Sequence, residues 1–242
     1  MSLLGDAALA MWWDMAPAIK SEFEDWHSHE HFPERLGVPG FRRASRWTCA
    51  EGGEGIFVLY ELTSHAILSS PAYVSHLNTP SPWSARMMPH HRNMVRSQCH
   101  VLESSGSAAA RHASTLRVSP LPGRADDLRA FFRTLCAALV RRPGIVGAHL
   151  LRHQTPPVAE TTEQRIRNSA DRVADWVFVV LGYEALALAS LVDADLADAA
   201  LQASGAAEGA LRGLYTLSHS ATAEDVAGID SPGCNHSDVG RE

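Results

Sequence analysis

Residues 125–153 read ADDLRAFFRTLCAALVRRPGIVGAHLLRH, and their reading decides the fold. Leu128, Phe131, Phe132, Leu135 and Leu139 fall on one side of a helical wheel, so the segment 124–142 is predicted to be a helix with one apolar face. Pro143-Gly144 ends it, and GIVGAHLLRH then reads as a strand. The same events occur 104 residues earlier. There, residues 18–36 set Ile19, Phe23, Trp26 and then Glu30 or His31 along one side, Pro39-Gly40 closes the unit, and FRRASRWTCA reads as a strand.

Working outward, each of these units lies inside the same order of elements. The first half gives a bulky strand over 10–16, the helix, a strand over 41–50, the turn EGGEG and an apolar strand over 56–63. A short helix over 69–78, a proline-rich loop over 79–93 and a strand over 95–104 follow. The second half gives a strand over 114–121, the helix, a strand over 144–153, a polar loop over 155–174 and a strand over 175–184. An alanine-rich helix over 185–204 and a strand over 211–220 complete it. Both halves are β-α-β-β-α-β, the ferredoxin-like plan. The expected fold is therefore α+β: two tandem repeats, 1–106 and 107–220, packed sheet to sheet as a barrel, with a mobile tail over 221–242. A 104-residue shift places Trp12 on Leu116. A small-molecule cavity is expected between the two sheets.

Composition narrows the function classes. The chain has 242 residues, 45% hydrophobic and 20% charged, enough to bury a sizeable core. Its formal net charge of -6 gives no global positive field to hold nucleic acid or an anionic membrane. The longest apolar run, DWVFVVLGYEALALASLV, contains Gly182 and Glu184 and reads as strand then helix, not as a membrane span. The start lacks the basic region and cleavage site of a signal peptide, so a cytoplasmic location is expected. Cys49, Cys99, Cys136 and Cys234 show no zinc spacing and are expected to be free thiols. No phosphate loop, dinucleotide fingerprint or GxSxG elbow occurs.

The segment WHSHEHFPERLGVPGF (26–41), continued by YELTSHAILSSPAYVSHLNTPSPW (60–83), resembles the dimeric α+β barrel superfamily of the EthD-like type. The resemblance covers about residues 8–104, and the second half through element order alone. It implies the barrel fold and a range of chemistries: cofactor-free monooxygenases, muconolactone isomerases, polyketide and olivetolic acid cyclases, and more distantly haem-binding chlorite dismutases and dye-decolourising peroxidases. The family's helix-one histidine falls on His31. Pro33 is expected to end or kink the helix just after it.

His27 and His31 stand four apart on one helix face, with His29 pointing away. Three readings follow: metal ligands in need of further partners, surface histidines, or proton-transfer groups. As acid/base, His31 would work with Tyr60 as hydrogen-bond donor to a developing oxyanion, and His100, in the fourth strand beside Cys99, is the second acid/base candidate. Trp12, Trp83 and Arg86 are candidate substrate contacts near a cleft mouth. His149 and His153 share a strand face and read equally as structural. The leading expectation is an isomerase, cyclase or cofactor-free monooxygenase acting on an aromatic or polyketide-like carbonyl compound. The alternatives are a haem or divalent transition-metal protein, with His27 and His31 as the metal candidates, and a non-catalytic ligand-binding protein. A cavity too small for a bicyclic compound would favour the last. With the barrel completed inside one chain, a monomer is feasible, and an edge strand would allow a homodimer.

Overall fold

The structure, a computed structural model, describes residues 3–167 and 171–227. Strands β1 (Ala7–Asp14), β2 (Phe41–Cys49), β3 (Gly55–Leu62), β4 (Arg92–Gly106), β5 (His112–Val118), β6 (Ile145–His153), β7 (Trp176–Gly182) and β8 (Leu211–Thr222) form one closed barrel in the order β1-β3-β2-β8-β5-β7-β6-β4. Every described pairing between named strands is antiparallel. The two halves each run β-α-β-β-α-β, and they join where β2 meets β8 and β4 meets β6. A closed ring leaves no edge strand, so the route to a homodimer through an exposed edge is absent among the described residues.

Helices cover the outside of each half. The first has α1 (Pro17–Trp26), a π turn (His27–His31), α2 (Phe32–Leu36), α3 (Pro71–Asn78) and α4 (Pro82–Met87). The second has α5 (Ala125–Leu139), α6 (Thr162–Arg167), α7 (Ala185–Ala189) and α8 (Asp198–Ala203). Four differences from the sequence reading stand out. The loop 79–93 contains α4, which Ser81 caps by accepting from the Ser84 N–H at 2.9 Å. The loop 155–174 contains α6. The helix expected over 185–204 is two short helices, with Leu191 and Leu196 buried in the turns between them. Strand β8 runs to Thr222 with Ala221 buried, two residues past the expected boundary. Most of the tail, 228–242, lies outside the described residues.

Strand alternation sorts the core into three layers. Trp12, Trp47, Phe57, Leu59, Cys99, Leu151, Val177 and Val179 fill the barrel interior, with Trp12 and Trp47 stacked on Phe57 at 5.0 and 5.3 Å. Large aromatic side chains therefore fill the middle of the space where a cavity is expected, and what remains among the described residues is a cleft of about 200 Å³ at one end of the barrel, lined by Val95, Ala174 and Arg117, whose guanidinium lies over the Trp12 ring. Because β3 and β7 are covered on both faces, their near-continuous apolar sequences are what the fold needs. The other two layers lie between sheet and helices. That of the second half packs Phe132 against Phe178 at 4.6 Å under α5 and leaves an open cleft of about 460 Å³ between α7 and the outer face of β5 and β8, lined by Ser114, Leu188, Val192 and Leu214.

Gly40 and Gly144 take φ of +102° and +85° at matching points of the two halves, as the repeated Pro-Gly implies. The 104-residue shift does carry Trp12 of β1 onto Leu116 inside β5, the second half's first strand, but the two residues face opposite ways. Trp12 faces the barrel interior, whereas Leu116 faces the helices, and a one-residue slip along a strand reverses every side chain. A Cβ at Gly144 would also lie 2.5 Å from the Ala187 Cβ. Gly144→Ala is therefore expected to cost about 2 kcal/mol or more, from the left-handed backbone and the clash together. Urea unfolding reads this directly, and a loss below about 0.5 kcal/mol would contradict the geometry.

Candidate functional site

A cavity that gathers several of the histidines lies in the first half's helix layer, over β1, β3 and β4 on the outer face of the sheet. Leu9, Met11 and Trp13 of β1, Tyr60 of β3, and Met94 and Arg96 of β4 form its floor. The π turn and α2 supply His27, His31 and Arg35, and His91 enters just before β4. The roof is α6, which belongs to the second half and brings Thr161, Glu163, Gln164 and Arg167 over the first.

Pro33 explains the local form of the helix. In a regular α-helix its ring would meet the carbonyl of His29, and it has no N–H to donate. The chain widens instead into a π turn, in which the Phe32 N–H reaches the His27 carbonyl five residues back, and the helix resumes without a break. His27 and His31 thus stay on one face, their rings stacked at 5.3 Å, while His29 is exposed. Trp26 fixes that face. Its Nε1 donates to Glu30 Oε1 at 3.1 Å and to Ser84 Oγ at 3.2 Å, and its ring lies 4.5 Å from that of His31.

Arg35 joins the cavity to its roof. It is 3% exposed and ion-paired with both Glu163 and Glu34. Burial opposes its charge, but those two carboxylates outweigh it and hold the guanidinium above its ordinary range. Arg167 pairs with Asp171 at 2.8 Å, and the Thr162 N–H donates to Asn78 Oδ1 at 3.0 Å, a second tie between α6 and the first half. Glu34 Oε1 also accepts from His76 Nδ1 at 3.0 Å, and Glu34 Oε2 lies 3.8 Å from His31 Nδ1.

The histidines are held neutral. Burial, then Arg46, pushes His27 well below its ordinary pKa; burial, then Arg35, does the same to His31. His91 is lowered to about 4, by burial and then Arg167. Burial raises the Tyr60 phenol well above its usual range, so it remains a neutral donor. Several buried polar atoms around this space have no hydrogen-bond partner: Trp13 Nε1, His27 Nδ1, His31 Nδ1, Tyr60 OH and Arg167 Nε, while Arg35 Nη1 faces Glu34 Oε1 at 3.2 Å without a well-aligned hydrogen bond. Such atoms are costly unless something meets them. As the walls stand, the free volume is about 30 Å³. That holds roughly two waters and not a bicyclic compound.

His31 and Tyr60 line this cavity together, and His27 joins them. Trp12 does not: it points into the barrel, and its neighbour Trp13 takes the cavity face. Trp83 packs partly buried at the edge of the same apolar layer. Arg86 is exposed, 3.7 Å from Glu22. His100 lies on the helix side of β4, opposite Cys99, but stacks on His65 at 4.3 Å instead of lining the cavity. His149 is fully buried between Ser104 Oγ (2.7 Å) and the Ser107 carbonyl (3.0 Å), which is a structural setting. Sequence reasoning missed Arg35, Glu163 and Arg167. Of these only Arg35 lies in the quoted helix motif, next to the family's histidine.

Among the described residues no group of three or more His, Cys, Asp or Glu side chains is placed to hold a metal ion. A haem does not fit the cavity with α6 and the Arg35–Glu163 pair in place. Cys99 and Cys136 are buried thiols whose pKa values burial pushes up, Cys136 to about 12, so neither is poised as a thiolate. No described helix is long and apolar enough to cross a membrane.

No family model matches the chain, and no curated protein matches it. Solved structures do. An anthrone oxidase-like protein is 12% identical with a TM-score of 0.62, covering 92% of this chain and 96% of its own. A monooxygenase-like protein from Fusobacterium nucleatum is 8% identical with a TM-score of 0.60, covering 91% of this chain and 96% of its own. A further one from Lactobacillus acidophilus is 9% identical with a TM-score of 0.57, covering 90% and 97%. This chain shares their fold. At such identities the likeness extends no further.

Proposed function

We propose that this chain is an EthD-like enzyme that oxygenates a polycyclic aromatic carbonyl compound without a cofactor. The observation that carries the reading is the set of groups around the cavity, whose α6 roof must move outward from the present space of about 30 Å³ to take such a compound. Neutral imidazoles and unpartnered donors converge there on a floor of Leu9, Met11, Trp13 and Met94. His31 Nδ1 takes a proton from an activated ring CH2 conjugated with the substrate carbonyl through the flanking aromatic rings, and Glu34, 3.8 Å away, stabilises the imidazolium that forms. The Tyr60 hydroxyl and Arg35 Nη1 donate to the oxygen on which the negative charge develops. The resulting carbanion is electron-rich enough to reduce dioxygen directly. A ring CH2 becomes C=O, one oxygen atom is retained, and the other leaves as water with the two hydrogens. The name of the anthrone oxidase-like neighbour agrees with this substrate class. Isomerisation or cyclisation would use the same proton transfer without dioxygen.

The test is to supply tricyclic hydroxylated anthrones in air, with no added metal or flavin, and follow quinone absorbance and oxygen uptake. His31→Ala is expected to lower turnover by about 100-fold or more while leaving a cooperative unfolding transition within a few degrees of the parent. Equal activity in the variant removes His31 from the mechanism. One observation favours a second reading, a non-catalytic binding protein: the free volume of about 30 Å³. Tight anthrone binding with no oxygen uptake would establish it.

A further inference from the structure

One imidazole in the cavity has its proton fixed by geometry. His91 Nδ1 lies 3.1 Å from the Met87 carbonyl oxygen and 3.2 Å from that of Met88. Carbonyl oxygens only accept, so the proton of the neutral ring sits on Nδ1 and the lone pair on Nε2. The ring cannot readily turn over. It packs at 5.1 Å from Trp13, 5.9 Å from Trp26 and 6.0 Å from Phe23, and it is 7% exposed. Among the described residues nothing donates to Nε2.

Of the other unpartnered groups near the cavity, Trp13 Nε1, the Tyr60 hydroxyl and Arg167 Nε lead with donors, while Glu34 Oε2 and Asp171 Oδ1 are carboxylate acceptors beside His31 and Arg167. His27 and His31 can present either a proton or a lone pair. Among the three imidazoles only His91 is set in advance as an acceptor, and it is a neutral one. Resting on the reading of the cavity as a site for aromatic carbonyl compounds, we infer that His91 Nε2 accepts a hydrogen bond from a hydroxyl on the ligand. The site thereby selects hydroxylated aromatic ketones over unsubstituted ones. A bound ligand without that hydroxyl would shut water out from Nε2 without meeting its lone pair, which is the usual source of strong discrimination by a polar group in an enclosed site. A phenolate in that position would face the lone pair with its own charge, so the bound hydroxyl is the protonated form. The low pKa of the ring, about 4, keeps Nε2 free of a proton at neutral pH.

The probes are 1-tetralone, 6-hydroxy-1-tetralone and 6-methoxy-1-tetralone, titrated calorimetrically into the full chain. The hydroxylated ketone is expected to bind about 10-fold tighter than the parent ketone or more, and the methoxy compound no tighter than the parent. In His91→Phe the hydroxyl advantage should fall to about 2-fold or less, and His91→Gln, whose amide oxygen can sit near the Nε2 position, should restore part of it. The methoxy comparison needs no variant, so a His91→Phe chain that fails to fold does not block the test. Equal affinities of the hydroxy and parent ketones for the parent chain would mean that Nε2 meets only water and would overturn the inference, while the cavity reading stands. Failure of all three to bind would overturn both.

Discussion

Arg35→Met should lower the free energy of unfolding by about 3–5 kcal/mol, the range found when one member of a buried ion pair is removed. Methionine nearly preserves the side chain's length, so packing changes little. The charge balance changes a great deal. Glu163, 4% exposed, loses its partner, and Glu34 loses one of its two. Because Arg35 lies on α2 and Glu163 on α6, the loss also loosens the roof of the cavity. Arg35→Met/Glu163→Met is expected to recover more than half of the deficit, since no uncompensated carboxylate is then left on α6. Urea unfolding of the parent, the two single variants and the double variant closes the cycle. A single-variant loss below about 1 kcal/mol would mean that water reaches the pair and that it does not hold α6.

Acid should destabilise the protein well above the range in which carboxylates titrate. His91 and His149 each have a folded pKa of about 4, set mainly by burial, against about 6.5 for a histidine in the unfolded chain. Between those two values the unfolded chain binds more protons. The stability these groups contribute is therefore complete above about pH 6.5 and is lost as pH falls toward 4. Each is expected to cost on the order of 2 kcal/mol between pH 7.5 and pH 5, and His27 and His31 act in the same direction. Glu61, whose carboxyl burial raises, opposes them in part. His149→Gln keeps a donor for the Ser107 carbonyl and carries no titration, so its stability should fall less steeply over this interval. A parent curve that is flat from pH 7.5 to pH 5 would show that these imidazoles are open to solvent.

The fold was readable because its determinants are local and repeated. A helix with one apolar face, a Pro-Gly stop and strands covered on both sides each leave a mark in the sequence, and here they occur twice. Which side of the sheet holds the cavity was not readable. Trp12 and Trp13 are consecutive, so the pattern shows that one faces each way but not which, and the filling of the barrel depends on side-chain volumes from all eight strands. His31 and Tyr60 were accessible as chemistry-bearing residues on a helix and a central strand. Helix α6 was not: TEQRIR has no apolar stripe, and its burial comes from polar links to Arg35 and Asn78, 128 and 84 residues away. His91 sits in a segment that reads as loop. Its role depends on two carbonyls that turn toward the ring only once the 3₁₀ turn over 88–90 has formed.

Making the barrel from a single chain frees its halves from symmetry. Two identical subunits about a twofold axis would have to carry every cavity and every roof in duplicate. Here the second half packs Phe132 against Phe178 under α5 and lends α6 to the first. The scaffold and the reactive groups can therefore diverge at different rates: a changed roof could admit a new compound without disturbing the imidazoles below it, and the rigid half could keep the whole molecule folded meanwhile.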